Sequence, residues 1–225
     1  MPVFHIPEET ISFPHPSYAN PEGLLGIGGD LRPDRLIEAY QNGIFPWYSS
    51  DERIMWWCLT PRLVLFPDKI KISKSMRSYL NLERFRISFD QCFEEVVRSC
   101  KDVQRSKQQG SWIHDEIMEA YGVLFDKGVA HSVEVWQDEH LVGGLYGVAV
   151  GKMFCGESMF TKVSNASKYG FIKLAQFLKA KDFLLIDCQQ ETMHLKSLGA
   201  ELMTDQNFFN FLEANKSNPI RYERW

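Results

Sequence analysis

Two carboxylates stand where apolar runs end. In Phe154-Cys-Gly-Glu-Ser-Met-Phe160 the spacing places Glu157 at a strand-to-loop junction, and Leu184-Leu-Ile-Asp-Cys-Gln189 ends on Asp187 and Gln189. Alternation with period two puts Asp187 and Gln189 on one face of a strand and Cys188 on the other. A carboxylate emerging from Leu-Leu-Ile is costly to bury unless a cation or hydrogen-bond donors meet it. Its alternative is to cap the following helix, as Glu157 could be a structural, backbone-bonded carboxylate. Other chemistries find less support. Gly156-Glu-Ser158 is not the GxSxG of a nucleophile elbow. Cys155 and Cys188 lie in apolar strands and read as small buried hydrophobes, so no covalent intermediate is called for. Gly23-Leu-Leu-Gly-Ile-Gly-Gly-Asp30 fits neither GxGxxG nor a P-loop and reads as a structural turn. His194 follows Glu191 by three residues, but no third ligand is evident, so no metal is expected.

The elements that must position these residues follow from periodicity. Residues 26–43 read as a turn, a helix opened by Pro33 and a stop at Gly43. An aromatic loop follows, then a buried strand over 54–58 and a boundary near Pro61. Beyond it the pattern predicts a strand over 63–66, a basic helix over 73–82 capped by Ser73 or Ser75, a strand over 85–89 and a helix over 90–100. Residues 101–111 should form an exposed loop and 115–127 an amphipathic helix stopped by Gly128. A meander of strands over 130–136, 141–150 and 152–155 comes next. Then come a helix over 165–179 capped by Ser164 or Asn165, an apolar strand over 183–188, and helices over 190–198 and 205–214. The class is α+β: a small N-terminal domain (1–62), then a domain (63–225) with a mostly antiparallel sheet flanked by helices.

Size and charge bound the rest. The chain has 225 residues, no long apolar run that would span a membrane, and no basic, apolar leader at Met1. Five cysteines without CxxC spacing argue for a reducing, cytoplasmic setting rather than a disulfide framework. Net charge is −4, which excludes a globally basic nucleic-acid binder. Residues 61–110 nevertheless hold eleven basic side chains against six acidic ones, a local surplus of five that leaves −9 elsewhere. A polyanion could bind that one face; a solvated surface of mixed charge is the plainer reading.

Nine segments in order resemble one family. They are Gly28-Gly-Asp-Leu31, Gly43-Ile-Phe-Pro-Trp-Tyr48, Trp56-Trp57, Ser111-Trp-Ile113, His131-Ser-Val-Glu-Val-Trp136, Leu141-Val-Gly-Gly-Leu-Tyr-Gly147, Phe154-Cys-Gly-Glu-Ser-Met-Phe160, Asn165-Ala-Ser-Lys168 and Leu185-Ile-Asp-Cys-Gln189. Together they resemble the leucyl/phenylalanyl-tRNA–protein transferases. The resemblance implies an acetyltransferase (GNAT)-like second domain and a bacterial, cytoplasmic enzyme without cofactor. Its partners would be aminoacyl-tRNA carrying Leu, Phe or, less readily, Met, and proteins with N-terminal Lys or Arg, which the transfer marks for degradation.

By that resemblance Asp187 and Gln189 sit at the reacting amine, with Glu157 as a second carboxylate. The reaction would be aminolysis of an ester, in which well-placed reactants gain ~7 kcal/mol from proximity. An α-amine with a pKa of ~8 needs little help to lose its proton. An ordinary Asp is a poor acceptor of that proton, so Asp187 would orient the amine, directly or through Gln189. The resemblance assigns Leu145, Met159, Phe171, Leu174, Leu178 and Ile186 to the amino-acid pocket and Trp47 and Trp112 to stacking on the terminal adenosine; Trp56, Trp57 and Trp136 read as core. Lys69, Lys71, Lys74 and Arg77 lead as tRNA-backbone contacts. Two rivals are an acetyl-CoA-dependent N-acetyltransferase and a non-catalytic RNA-binding module. The first expects a glycine-rich turn that Glu157-Ser-Met-Phe-Thr-Lys-Val-Ser164 lacks. The second leaves an apolar pocket beside paired polar strand ends unexplained.

Overall fold

The computed structural model describes residues 3–102 and 112–225, so most of the loop expected at 101–111 lies outside the described residues; 101 and 102 close a helix. In chain order the elements are β1 (Phe4–Ile6), β2 (Leu24–Gly28), α1 (Pro33–Gln41), β3 (Phe45–Pro46), β4 (Met55–Trp57), β5 (Arg62–Leu65), α2 (Lys74–Asn81), β6 (Arg86–Phe89), α3 (Phe93–Asp102), α4 (Asp115–Asp126), β7 (Ala130–Gln137), β8 (His140–Val150), β9 (Met153–Thr161), α5 (Ala166–Ala180), β10 (Leu185–Gln189), α6 (Met193–Ser197), β11 (Glu201–Met203) and α7 (Asp205–Asn215). Two sheets form. The smaller runs β1-β2-β4-β3 and the larger β11-β5-β10-β9-β8-β7-β6. In the larger one every neighbouring pair is antiparallel except β9 and β10.

The α+β expectation holds, with local corrections. Residues 23–30 are not a plain turn: Leu24–Gly28 pairs with both β1 and β4, and only then does the chain turn, at Gly28 and Gly29, both with positive φ. The glycines hide that strand by breaking its apolar alternation. Pro33 does open α1, and Gly43 follows its end with φ +70°, a conformation that costs glycine nothing. Ser73 caps α2 by accepting from the Met76 amide. Asn165 stands at the start of α5 in a left-handed conformation and makes no side-chain cap, contrary to expectation.

The larger sheet separates two apolar layers, because alternate residues face opposite ways. Tyr146, Cys155 and Leu185 face a cluster with Phe93 and Val96 of α3, Ile117 and Tyr121 of α4, and Tyr40 of α1. Leu145, Phe154 and Ile186 face Phe171, Leu174 and Leu178 of α5. Trp56 is fully buried, whereas Trp57 and Trp136 are only half-buried at the margins of the core.

Candidate active site

The site lies where β9 and β10 part. Their parallel pairing runs Leu185 with Met153, Ile186 with Phe154 and Asp187 with Cys155, then stops. Each strand continues alone, β9 along β8 to Thr161 and β10 to Gln189. Side chains from both faces of the sheet line the resulting gap, a cavity of about 380 Å³. Its apolar walls are Leu145, Phe154, Met159, Phe160, Phe171 and Ile186, and Phe45, Trp47 and Trp112 close one side.

Glu157 reaches this gap by a route that alternation misses. β9 does not end at Cys155, so Glu157 is inside a strand rather than at a strand-to-loop junction. Tyr146 pairs with Ser158 and Gly147 with Gly156, which leaves Glu157 as the extra residue of a bulge. A bulge re-aims one side chain without ending the strand. A second irregularity falls on β10, where the register with β5 shifts between Asp187 and Gln189, and Gln189 has φ +57°. The two deviations meet: Gln189 Nε2 donates to Glu157 Oε1 at 2.8 Å, across the parted strands. The other carboxylate oxygen of Glu157 accepts from Tyr121 at 3.2 Å, and the Tyr121 and Tyr40 hydroxyls are hydrogen-bonded to each other.

Asp187 has a different environment. It is about 1% exposed and meets Arg62, equally buried, through a two-pronged pair with both N···O distances 2.8 Å. Its Oδ1 also accepts from the Gln189 amide at 2.9 Å. The cation demanded by a carboxylate at the end of Leu-Leu-Ile is therefore Arg62, which by sequence belongs to the basic segment over 61–110. Thr192, not Asp187, caps the helix that follows.

The electrostatics divide the two acids. Burial pushes Glu157 up to about 7, with Asp187 adding to the rise and hydrogen bonds from Tyr121 and Gln189 opposing it. Burial also raises Tyr40, Tyr121 and Tyr146, so all three phenols stay neutral. The thiols of Cys155 and Cys188 are pushed up by burial as well. A protonated thiol is a poor nucleophile. The arrangement can bind an apolar side chain, stack a flat ring and present an acid that titrates near neutrality to an amine.

Of the residues expected at the site, Glu157, Asp187, Gln189, Leu145, Met159, Phe171, Ile186, Trp47 and Trp112 come together around this one cavity. Leu174 and Leu178 do not. Both are fully buried in the layer between α5 and the sheet, on the same face of the helix as Phe171 but about one and two turns further along it, outside the cavity lining. Lys69, Lys71, Lys74 and Arg77 are exposed on and before α2, which packs beside α5; Lys69 lies over the Phe66 ring and 3.7 Å from Glu201. His194 lines the cavity, while Glu191 pairs instead with Lys196 at 2.8 Å. Among the described residues no cluster of three metal-ligating side chains occurs and no helix is long and apolar enough to cross a membrane. The parts played by Arg62, Tyr40 and Tyr121 escape sequence reasoning. Only the cost of burying Asp187 points to a cation, and nothing local pairs two phenols 81 positions apart.

Known proteins offer two kinds of likeness, one of structure and one of sequence. Among solved structures, an aminoglycoside acetyltransferase from an uncultured soil metagenomic sample is 15% identical with a TM-score of 0.39, covering 64% of this chain and 93% of the other. A GCN5-related N-acetyltransferase from Kribbella flavida is 9% identical with a TM-score of 0.39, covering 73% and 58%. Family models described as leucyl/phenylalanyl-tRNA protein transferase and its N-terminal domain match residues 64–213 and 29–59. Proteins named leucyl/phenylalanyl-tRNA–protein transferase are 52% identical in Flavobacterium johnsoniae, over 90% of this chain and 95% of the relative. In Desulfatibacillum aliphaticivorans the identity is 48%, over 100% and 96%. A chain matched along its whole length at these identities belongs to the leucyl/phenylalanyl-tRNA–protein transferase family.

Proposed function

We propose that this enzyme, an aminoacyltransferase, moves Leu or Phe, and less readily Met, from aminoacyl-tRNA to the α-amino group of proteins beginning with Lys or Arg. The product would carry a new N-terminal residue that marks the protein for degradation in the cytoplasm. The observation that carries this reading is one cavity lined both by apolar side chains and by the hydrogen-bonded pair Glu157 and Gln189.

In this reading Leu145, Met159, Phe171 and Ile186 hold the amino-acid side chain. A missing methylene changes binding by only ~1–3 kcal/mol, so selection among Leu, Phe and Met is graded. Trp47 and Trp112 stack on the terminal adenosine, and Lys69, Lys71, Lys74 and Arg77 neutralise backbone phosphates. The small sheet with its flanking segment, residues 1–62, supplies Trp47; residues 63–225 supply the rest.

The α-amine attacks the ester carbonyl carbon, a C–N bond forms, and the C–O bond to the tRNA ribose breaks. Glu157, which titrates near neutrality, takes the proton that the attacking nitrogen must shed; the departing ribose oxygen gains one in turn. Gln189 donates to Glu157 through its NH2 and uses its carbonyl end to orient the amine. Asp187, occupied by Arg62, acts through Gln189 rather than on the amine directly. The neutral thiols take no part.

The test is transfer of radiolabelled Leu or Phe from charged tRNA to a peptide beginning with Arg, with one beginning with Ala as control. Label on the first and not the second is expected. Equal labelling would contradict the acceptor rule, and labelling of neither would contradict the activity.

A further inference from the structure

Arg62 is a buried cation with every arm of its guanidinium engaged. Its Nε and Nη2 hold the two oxygens of Asp187, Nη2 also donates to Gly43 O at 2.9 Å, and Nη1 to Leu59 O at 3.3 Å. The guanidinium lies over the rings of Phe45 and Phe208, at 5.2 and 4.9 Å from their centroids. One planar fork thus joins three parts of the chain: the turn after α1, the segment that follows β4 and the middle of β10. Two of these reach the cavity directly, through Phe45 and Asp187.

Stability alone does not ask for such a pair. Burying an Arg–Asp pair costs desolvation that the mutual attraction only roughly returns, and apolar substitutes of similar volume often stabilise as well or better. What the fork supplies is direction. Asp187 Oδ1 is shared between Arg62 Nε and the Gln189 amide, and Gln189 holds φ +57°, a backbone state unfavourable for a residue with a Cβ. Freed from Arg62, the Asp187 carboxylate would be free to turn, and the anchor of the Gln189 backbone would be lost. Gly43, the other end of the fork, is four residues before Trp47.

We propose that Arg62 is a positioning residue of the transfer reaction: it fixes the Asp187 carboxylate, and through it the Gln189 amide opposite Glu157, while tying the turn that leads to Trp47 to the same strand. The inference rests on the assignment of Asp187, Gln189 and Glu157 to the reacting centre. Lys cannot replace it, because a point charge on a flexible stem offers no planar fork.

The experiment compares Arg62→Lys, Asp187→Asn, Gln189→Ala and the double variant of the first two. It reads single-turnover transfer against pH, affinity for aminoacyl-tRNA and thermal unfolding. Arg62→Lys should transfer ~100-fold more slowly, the cost of a small misplacement, with a smaller loss of affinity. The midpoint of its pH–rate profile should rise, because an Asp187 less well neutralised makes Glu157 harder to ionise. The double variant should lose no more than either single one, since the two residues act as a unit. Impaired Asp187→Asn and Gln189→Ala beside an unimpaired Arg62→Lys would overturn the role of Arg62, as would losses that multiply. Full transfer by Asp187→Asn and Gln189→Ala would overturn the site assignment instead. Should Arg62→Lys fail to fold, the apolar pair Arg62→Met with Asp187→Leu replaces it; that pair should fold yet transfer poorly, and full transfer by it would overturn the proposal.

Discussion

Glu157 carries a cost that the rest of the molecule offsets. Its carboxyl titrates at about 7 rather than 4.5, chiefly because it is buried. The folded state therefore binds that proton more tightly than the unfolded chain does. Below pH 4.5 both states are protonated and nothing is lost; between 4.5 and 7 stability falls as pH rises, and above 7 the full cost is present. Glu157→Gln should thus leave unfolding nearly unchanged at about pH 5. At about pH 8 it should raise the melting temperature, by ~2–4 °C for each kcal/mol released in a chain of this size. Transfer should fall by ~10²-fold or more at about pH 8, as expected for loss of a general base, and far less at about pH 5, where Glu157 is already protonated. Calorimetry at the two pH values beside a transfer assay checks this; equal stability changes at both would place the Glu157 charge elsewhere. Polar residues closing apolar runs point to Glu157, Asp187 and Gln189 in the sequence. Their division of labour is not legible there, because it depends on Arg62 and Tyr121, distant in sequence and ordinary in their own segments.

At the scale of elements, the site exists because two parallel neighbours separate after three residue pairs. Alternating apolar runs make the strands and helices from β5 onward readable, and their order already implies an α+β sheet. What periodicity misses is where strands bend. The polar pair Glu157-Ser158 looks like the end of β9 when it is a bulge within it, and three-residue strands such as β1 and β11 are too short to show a period. Gly147 secures the bulge from β8. A Cβ there would collide with the Cys155 carbonyl oxygen and the Phe154 ring. Gly147→Ala should cost ~1–3 kcal/mol in chemical denaturation and reduce transfer beyond the loss of folded protein, since relief must come from movement of β9. Unchanged stability would show that β9 yields freely and that its bulge is soft.

At the scale of the molecule, charge is unevenly spread. The chain is acidic overall, yet Lys69, Lys71, Lys74 and Arg77 stand exposed beside α5, whose first turns line the cavity. Arg62 belongs to that sequence region but contributes nothing to its surface field, being buried against Asp187. Replacing Lys74 and Arg77 together by Ala should weaken tRNA binding and flatten its dependence on salt, by ~0.7–0.9 in the logarithmic slope for each phosphate left without its cation. An identical slope would place the tRNA on another face. Transfer of this kind requires one cavity to hold the amino-acid side chain of the ester against the incoming amine. Met159→Trp tests that most directly, because the half-buried Met159 side chain lines the space and a larger ring would fill it. Transfer of labelled Leu to an Arg peptide should then fall ~100-fold, with uncharged tRNA bound as before; full transfer by a folded Met159→Trp enzyme would contradict the assignment of the cavity.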